Sequence, residues 1–531
     1  MMIRQNPSIF NDIVGPTMIG PSSSHTCAPS RIGFLAQQFL PGQLKKATIT
    51  FAKDGAYTLM YKGQRSDMGY VNGLLGRHPE DPRLRDSFAE AKKAGVEISF
   101  VIEDFPPVRP NISRLNLENT KGEQVELYSD STGGGTVRLM SFNGYDVDIV
   151  GDCYELILLT SCGREGSEHV LEEALKLVGA NEGTSVSAKE ESGLVNIKTR
   201  TEHTEEFLEQ LRNVEGVSEV KEIHPILTVL SNRHADIPFA SAEEMLAYGD
   251  ETGKELWELG VEYEMARSGW SRQQVMEYME YVVDTMENSA KEGLKGEGDM
   301  SGIISPTSGK VEAYIKQQPS ALDMGVLNTV VPWSMAVMEY SSTMGKVLCA
   351  PTGGSAGVFP GAVLGTANHM GLEKDAKVRA MFVTAVIGIV MSKDCNYSAE
   401  LYGCQVEPGA ASGMAAAGLV CLMGGTSEQM CMAASCAVQN ILGTICDPVA
   451  GLVQIPCINR NAMSAANAVV CANMIMGGFD PLSPLDQTAE TLFRVREQLP
   501  AELRCTCRGG LCTTPCGQKL AKEQEIRDNA R

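Results

Sequence analysis

The 531-residue chain has no basic surplus. Its 45 Lys and Arg stand against 66 Asp and Glu, for a formal net charge of −21. That balance argues against nucleic acid or an anionic membrane as partner, because both require a basic surface. Long apolar runs are missing too. The longest, "AMFVTAVIGIVM" (380–391), has 12 residues with charges close on both sides, too short to span a bilayer and readable as a buried core helix. The first residues, "MMIRQNPSIFNDIVGPTM", lack a basic segment followed by an apolar one, so no secretory leader is expected and a cytoplasmic location is. No G-x-x-x-x-G-K-[ST] and no strand–GxGxxG–helix pattern occurs, which leaves nucleotide binding without support. Pyridoxal phosphate has none either: Lys346 and Lys393, the lysines nearest the Gly/Cys loops, lie by no recognisable phosphate cradle and read as surface charges.

What is present divides into three parts of an α+β chain, long enough for two to four domains. Residues 8–147 mix strands ("KKATITFA", "VEISFVIE", "EQVELYS") with a few helices, an α/β-type unit. Residues 150–228 read as strand, helix, two strands, helix, strand, the βαββαβ succession of a ferredoxin-like fold. Residues 236–520 turn to Ala, Met, Gly and Leu in long helical stretches and read as an all-helical domain. The closing "QKLAKEQEIRDNAR" reads as a polar helical tail.

Sixteen cysteines in such a chain do not make a disulfide framework, which belongs to small secreted domains. Cys421, Cys431, Cys436 and Cys471 sit in helical stretches and read as core. Others lie at helix-breaking Gly/Pro loops: Cys349, Cys404, Cys446, Cys457 and the tail set Cys505, Cys507, Cys512 and Cys516. A soft-metal site needs thiolates converging from several segments, but the C-x₂-C…C-x₂-C spacing is absent. Spacing alone favours buried cysteines over ligands. Two loops also carry chemistry. "PSSSHT" offers hydroxyls and an imidazole, suited to holding a carboxylate with His25 as acid or base, or equally to capping the next helix. "STGGGT" permits close backbone approach to a ligand, as it would any tight turn.

Taken together, "MIGPSSSHT", "STGGGT", "CAPTGGSAGVFPG", "GCQVEPGAASGMAAAG" and "ICDPVAGLVQIPCINRNAMSAANA" resemble the iron–sulfur-dependent L-serine dehydratases. The resemblance runs in order from about residue 8 to 520, as a fusion of a β-type domain (8–147), an ACT-like domain (150–228) and a helical α-type domain (236–520). It implies deamination of L-serine to pyruvate and ammonia by a [4Fe–4S] cluster with one open iron. It also implies an amino-acid effector at the ACT-like unit and a homodimer. Carried over residue by residue, Cys404 matches the shared cluster cysteine, while Ala356 and Ser412 occupy two slots where some members have ligands. Cys349 and Cys446 are the expected partners of Cys404, with Cys395 and Cys457 as alternatives to Cys446. His25 and Ser24 are expected to be catalytic. Ser22, Ser23, Ser24, Thr26, Lys62, Asp67, Gly133, Gly134 and Gly135 are expected to bind substrate, and Cys512 or Cys516 to cap the open iron. The family's "TGKGHGTD" reads "MYKGQRSD" here, so Arg65 replaces a histidine and is free, on this reading, to meet an extra carboxylate on a larger substrate. Cysteine desulfidation, another β-substituted amino acid, and a catalytically silent amino-acid sensor are the rival readings.

Overall fold

The computed structural model describes residues 6–105, 109–392 and 397–529. Its N-terminal region is built on a six-stranded sheet. A short strand, β1 (Thr17–Ile19), precedes it, and the sheet comprises β2 (Leu44–Ala52), β3 (Glu97–Glu103), β4 (Ile112–Asn119), β5 (Gln124–Gly133), β6 (Thr136–Phe142) and β7 (Tyr145–Ile149), in the order β3-β2-β4-β5-β6-β7. Only the β2–β3 pair is parallel; the remainder is a meander whose inward residues, such as Leu115, Leu117, Leu127 and Leu139, are fully or almost fully buried. The Ala28–Phe39 helix covers one face of this sheet through Ile32, Leu35 and Phe39.

Next come β8 (Tyr154–Thr160), β9 (Gly183–Ala188), β10 (Gly193–Thr199) and β11 (Val217–Ile223), an antiparallel sheet in the order β11-β8-β10-β9. The helices Arg164–Val178 and Glu205–Arg212 complete the βαββαβ order, with Val170, Ala174, Leu208 and Leu211 against Leu156, Leu158, Val195 and Ile197.

Among the described residues the C-terminal region is helical apart from β12 (Lys346–Leu348), which pairs with β1 and so ties the N-terminal segment to the helical region. Its centre is the Lys374–Met391 helix, buried from Ala380 to Met391. Against it lies the Pro408–Leu422 helix, buried from Pro408 to Val420. That burial explains why "PGAASGMAAAGLV" shows no apolar stripe: a helix enclosed on every side has no polar face to alternate with. Small residues are what let the helices meet. A Cβ on Gly418 would stand 2.2 Å from Thr384 Oγ1 and 3.1 Å from the Ala380 carbonyl oxygen. Ser412 belongs to this packing; its hydroxyl donates to the Ser464 carbonyl at 2.7 Å and accepts from Asn467. The closing segment is a helix, Pro515–Asn529, but it does not stand off in solvent. Gln524 and Arg527 donate to the carbonyls of Ser301 and Gly302.

Candidate active site

The "SSSHT" loop forms one turn, Ser23–Cys27, at the head of the Ala28–Phe39 helix. Its hydroxyls divide their tasks. Ser22 caps the turn, accepting from the His25 N–H at 3.1 Å. Ser23 accepts from the Gly353 N–H at 3.0 Å, and Thr26 donates to the Gln64 carbonyl at 2.6 Å. Ser22 thus serves the turn, as the capping reading expects, while Ser24 turns to His25 and Glu400.

Ser24 Oγ lies 2.9 Å from His25 Nδ1 and donates to Glu400 Oε1 at 2.7 Å. A hydroxyl has one proton. With that proton on Glu400, the contact with His25 requires the Nδ1–H tautomer, which leaves a lone pair on Nε2. Nε2 is buried and has no hydrogen-bond partner, and His25 is only 1% exposed. Burial lowers the His25 pKa against the opposing charge of Glu400, so the ring is held neutral. Burial pushes Glu400 up, but the charge His25 carries when protonated and the hydroxyls of Ser24 and Ser398 outweigh it and hold the carboxyl below its ordinary range. The pair is a carboxylate beside a neutral imidazole. The backbone under it is braced by Ser131 and Tyr57, whose hydroxyls donate to the Ser24 carbonyl at 2.9 and 3.3 Å.

Glu400 comes from the C-terminal region, so the N-terminal loop and the helical domain build this site together. The glycines of "STGGGT" make the approach possible. Gly133 has φ +104°, and a Cβ there would stand 2.6 Å from Ser398 Cβ, displacing the serine that donates to Glu400 Oε2 at 2.8 Å. Gly134 lies 3.7 Å, measured from an added Cβ, from the Pro351 carbonyl oxygen. Gly135 offers its own carbonyl to Arg31 at 2.7 Å.

On the far side of Glu400 the chain makes a short turn, Cys404–Val406. Cys404, Cys446 and Cys505 form one buried cluster with Met60 and Ala399, and Cys507 packs against it. Cys404 faces Cys446, and Cys446 faces Cys505. Reciprocal backbone bonds hold the second contact: Cys446 N–H donates to the Leu503 carbonyl at 2.8 Å and Cys505 N–H to the Cys446 carbonyl at 2.9 Å. Arg460 brings positive charge, with Nη1 3.7 Å from Cys404 Sγ and Nη2 2.8 Å from Asp447 Oδ1. As the side chains stand, no three His, Cys, Asp or Glu of the described residues are disposed as a metal-binding group. Cys349 stands elsewhere, in the main helical core, its thiol 3.5 Å from Met18 Sδ and close to Cys27. Cys457 begins the Cys457–Met476 helix near Cys404 and Arg460. Cys395 lies outside the described residues.

Two more carboxyls face this region. Burial and the charge of Glu400 push Glu407 up to about 8, against a hydrogen bond with Thr352. Asp130 is pushed up to about 7 by burial, opposed by Arg109 at 3.6 Å.

The remaining expected residues are engaged with the tail. Lys62 donates to Asn529 at 2.9 Å, and Arg65 pairs with Asp528 at 4.0 Å, so the carboxylate that Arg65 meets is the chain's own. Burial raises Asp67 to about 6, its carboxylate accepting the Met68 N–H. Cys512 donates to the Pro448 carbonyl at 3.2 Å, Cys507 lies 3.6 Å from the same oxygen, and Cys516 is exposed. Glu400, Glu407, Ser398 and Arg460 were not selected from the sequence, and Cys505 was noted only among the tail cysteines, not as a partner of Cys404. The signal was present in part: Glu400 and Glu407 flank Cys404 by four and three residues.

A buried neutral imidazole with an unpartnered Nε2, set beside a carboxylate where two regions meet, has the chemistry to accept a proton. The family model for the serine dehydratase alpha chain matches residues 251–512. The probable L-serine dehydratase alpha chain of Bacillus subtilis is 33% identical over 285 residues, 54% of this chain and 95% of its own. L-serine dehydratase 1 of Escherichia coli is 28% identical over 511 residues, 93% of this chain and 96% of its own. The alpha chain of L-serine dehydratase from Peptoniphilus asaccharolyticus is 31% identical over 285 residues, 53% and 97%. The chain belongs to the serine dehydratase family, and it is a lyase of the ammonia-lyase type.

Proposed function

We propose that this lyase deaminates L-serine to pyruvate and ammonia, with His25 Nε2 taking the Cα proton. The observation that carries the reading is the unpartnered, buried Nε2, whose lone pair follows from the Ser24–Glu400 hydrogen bond. Glu400, acting through Ser24, keeps the ring in the Nδ1–H tautomer and stabilises the imidazolium once the proton has moved. Loss of the Cα proton and the β-hydroxyl leaves an enamine, which hydrolyses to pyruvate and ammonia.

The thiols of Cys404, Cys446 and Cys505 suit a [4Fe–4S] cluster in their chemistry: three soft donors from three segments, buried together, with a cation at Cys404. When bound, the cluster supplies a Lewis-acidic iron for the β-hydroxyl. Cys505 takes the place expected of Cys349 in this set. The same reading includes cytoplasmic action, an amino-acid effector at residues 150–228 and a homodimeric enzyme.

Anaerobic purification tests it. The expected product is a brown protein with about four irons per chain, as a cubane cluster requires, that releases ammonia from serine. Replacing Cys404, Cys446 or Cys505 by Ala should each remove iron and colour, whereas Cys349→Ala should keep both. An iron-free protein with full activity, or iron retained in all three variants, would overturn the assignment.

A further inference from the structure

Two helices of the C-terminal region lack a polar stripe, but only one of them is enclosed. The Pro408–Leu422 helix is buried on all sides; the Cys457–Met476 helix is not. Its inner side, through Ala465, Ala468, Ala472 and Ile475, is buried in the helical core, so its outer side should be polar. Instead no residue from Asn461 to Phe479 is charged, and Met463, Val470 and Met474 stand 37–49% exposed. With Asn467 these follow one another at steps of four, three and four, which is one face of a helix. Phe479, also large and exposed, extends the strip, its N–H returning to the Met474 carbonyl at 2.9 Å.

A helix apolar on every side belongs in an interior, yet among the described residues nothing covers this face. The four side chains leave roughly 350 Å² of apolar surface in one strip, the size that marks an interaction site on a monomer. A standard interface takes about 800 Å² from each subunit and is a little over half apolar, so the strip supplies most of that apolar share.

Charge selects the occupant. At a net charge of −21, two copies of this chain bring like charges together on most faces, which is costly. On this face they do not. Its polar groups are the carboxamides of Asn440, Asn467 and Asn473, the first donating to Asn467 Oδ1 at 2.8 Å. A carboxamide both donates and accepts, so a face of amides and apolar groups is complementary to itself, as a two-fold contact demands. A basic partner, which an acidic protein would otherwise attract, finds no counter-charge here.

We propose that a second copy of the chain packs on this face, the Cys457–Met476 helix meeting its own counterpart about a two-fold axis with Val470 at the contact. The assignment rests on the homodimeric reading above and names the surface that makes the dimer.

The test is the solution mass of the full-length, iron-loaded protein with Val470→Glu and, separately, Val470→Lys. Wild type should sediment at twice the 57.1 kDa chain mass. Each variant should dissociate about 100-fold more readily, because the contact would bury an unpaired charge, and should run as a single chain with its iron and its helical circular dichroism unchanged. Mixing the two variants should restore the double mass, since only a face that meets its own copy sets the lysine of one chain near the glutamate of the other. Variants that stay single when mixed would overturn the proposal, as would a Val470→Glu protein that keeps the wild-type mass. Wild type at single-chain mass would overturn the homodimeric reading along with it.

Discussion

A single proton decides the chemistry of this site at the scale of the residue. Ser24 can give its hydroxyl hydrogen to only one neighbour, and Glu400 takes it, so Nε2 of His25 is left basic. With His25 as the proposed base, the neutral ring is the active form and protonation abolishes activity. Burial lowers the His25 pKa, so kcat/KM should hold as pH falls to 6.5 and decline only below. Glu400→Gln removes the charge that favours the imidazolium, so that decline should move to still lower pH. A fall centred above 6.5 would contradict the assignment. His25→Ala should reduce kcat by roughly 10²–10⁴-fold, the usual worth of a general base, with iron content intact. The sequence exposed His25 and Ser24 through "PSSSHT", and Cys404 through "GCQ". It did not single out Glu400, because a carboxylate 376 residues from Ser24 becomes its partner only through the fold.

The elements fall into two kinds, those whose pattern announces them and those whose pattern is erased by burial. The first half of strand β5 and the Glu205–Arg212 helix are half-covered, so alternation or an amphipathic stripe survives in their sequence. The Pro408–Leu422 helix has no such stripe, being enclosed throughout, and its Gly and Ala content reflects contact distance. Gly418→Ala should cost about 1–3 kcal/mol by overpacking, read as a lower denaturation midpoint. Combining it with Thr384→Ala, which removes the atom 2.2 Å away, should cost less than the sum of the two single changes. Strict additivity would show that the helices can separate freely.

In the molecule as a whole, segments far apart in the chain close on one another: β1 with β12, Ser23 with Gly353, Gly133 with Ser398, and the last helix with residues 61–67 and 301–302. Deleting residues 515–531 should therefore speed amide exchange at 61–67 and 301–302 and leave residues 154–223, which form their own sheet, unchanged. Equal exchange in both proteins would mean that the tail contacts carry no stability. By itself the sequence determined the three-part order of the chain, the acidic surface, the loop bearing His25 and the placement of Cys404 at a break between helices. Each of these is local, a matter of periodicity, composition or turn chemistry. The tertiary structure decided which distant groups meet: that Glu400 reaches Ser24, that Cys505 and not Cys349 joins Cys404 and Cys446, and that Arg65 is answered by Asp528. Such pairings depend on how buried helices and loops pack, and packing distance leaves no period in the sequence to read.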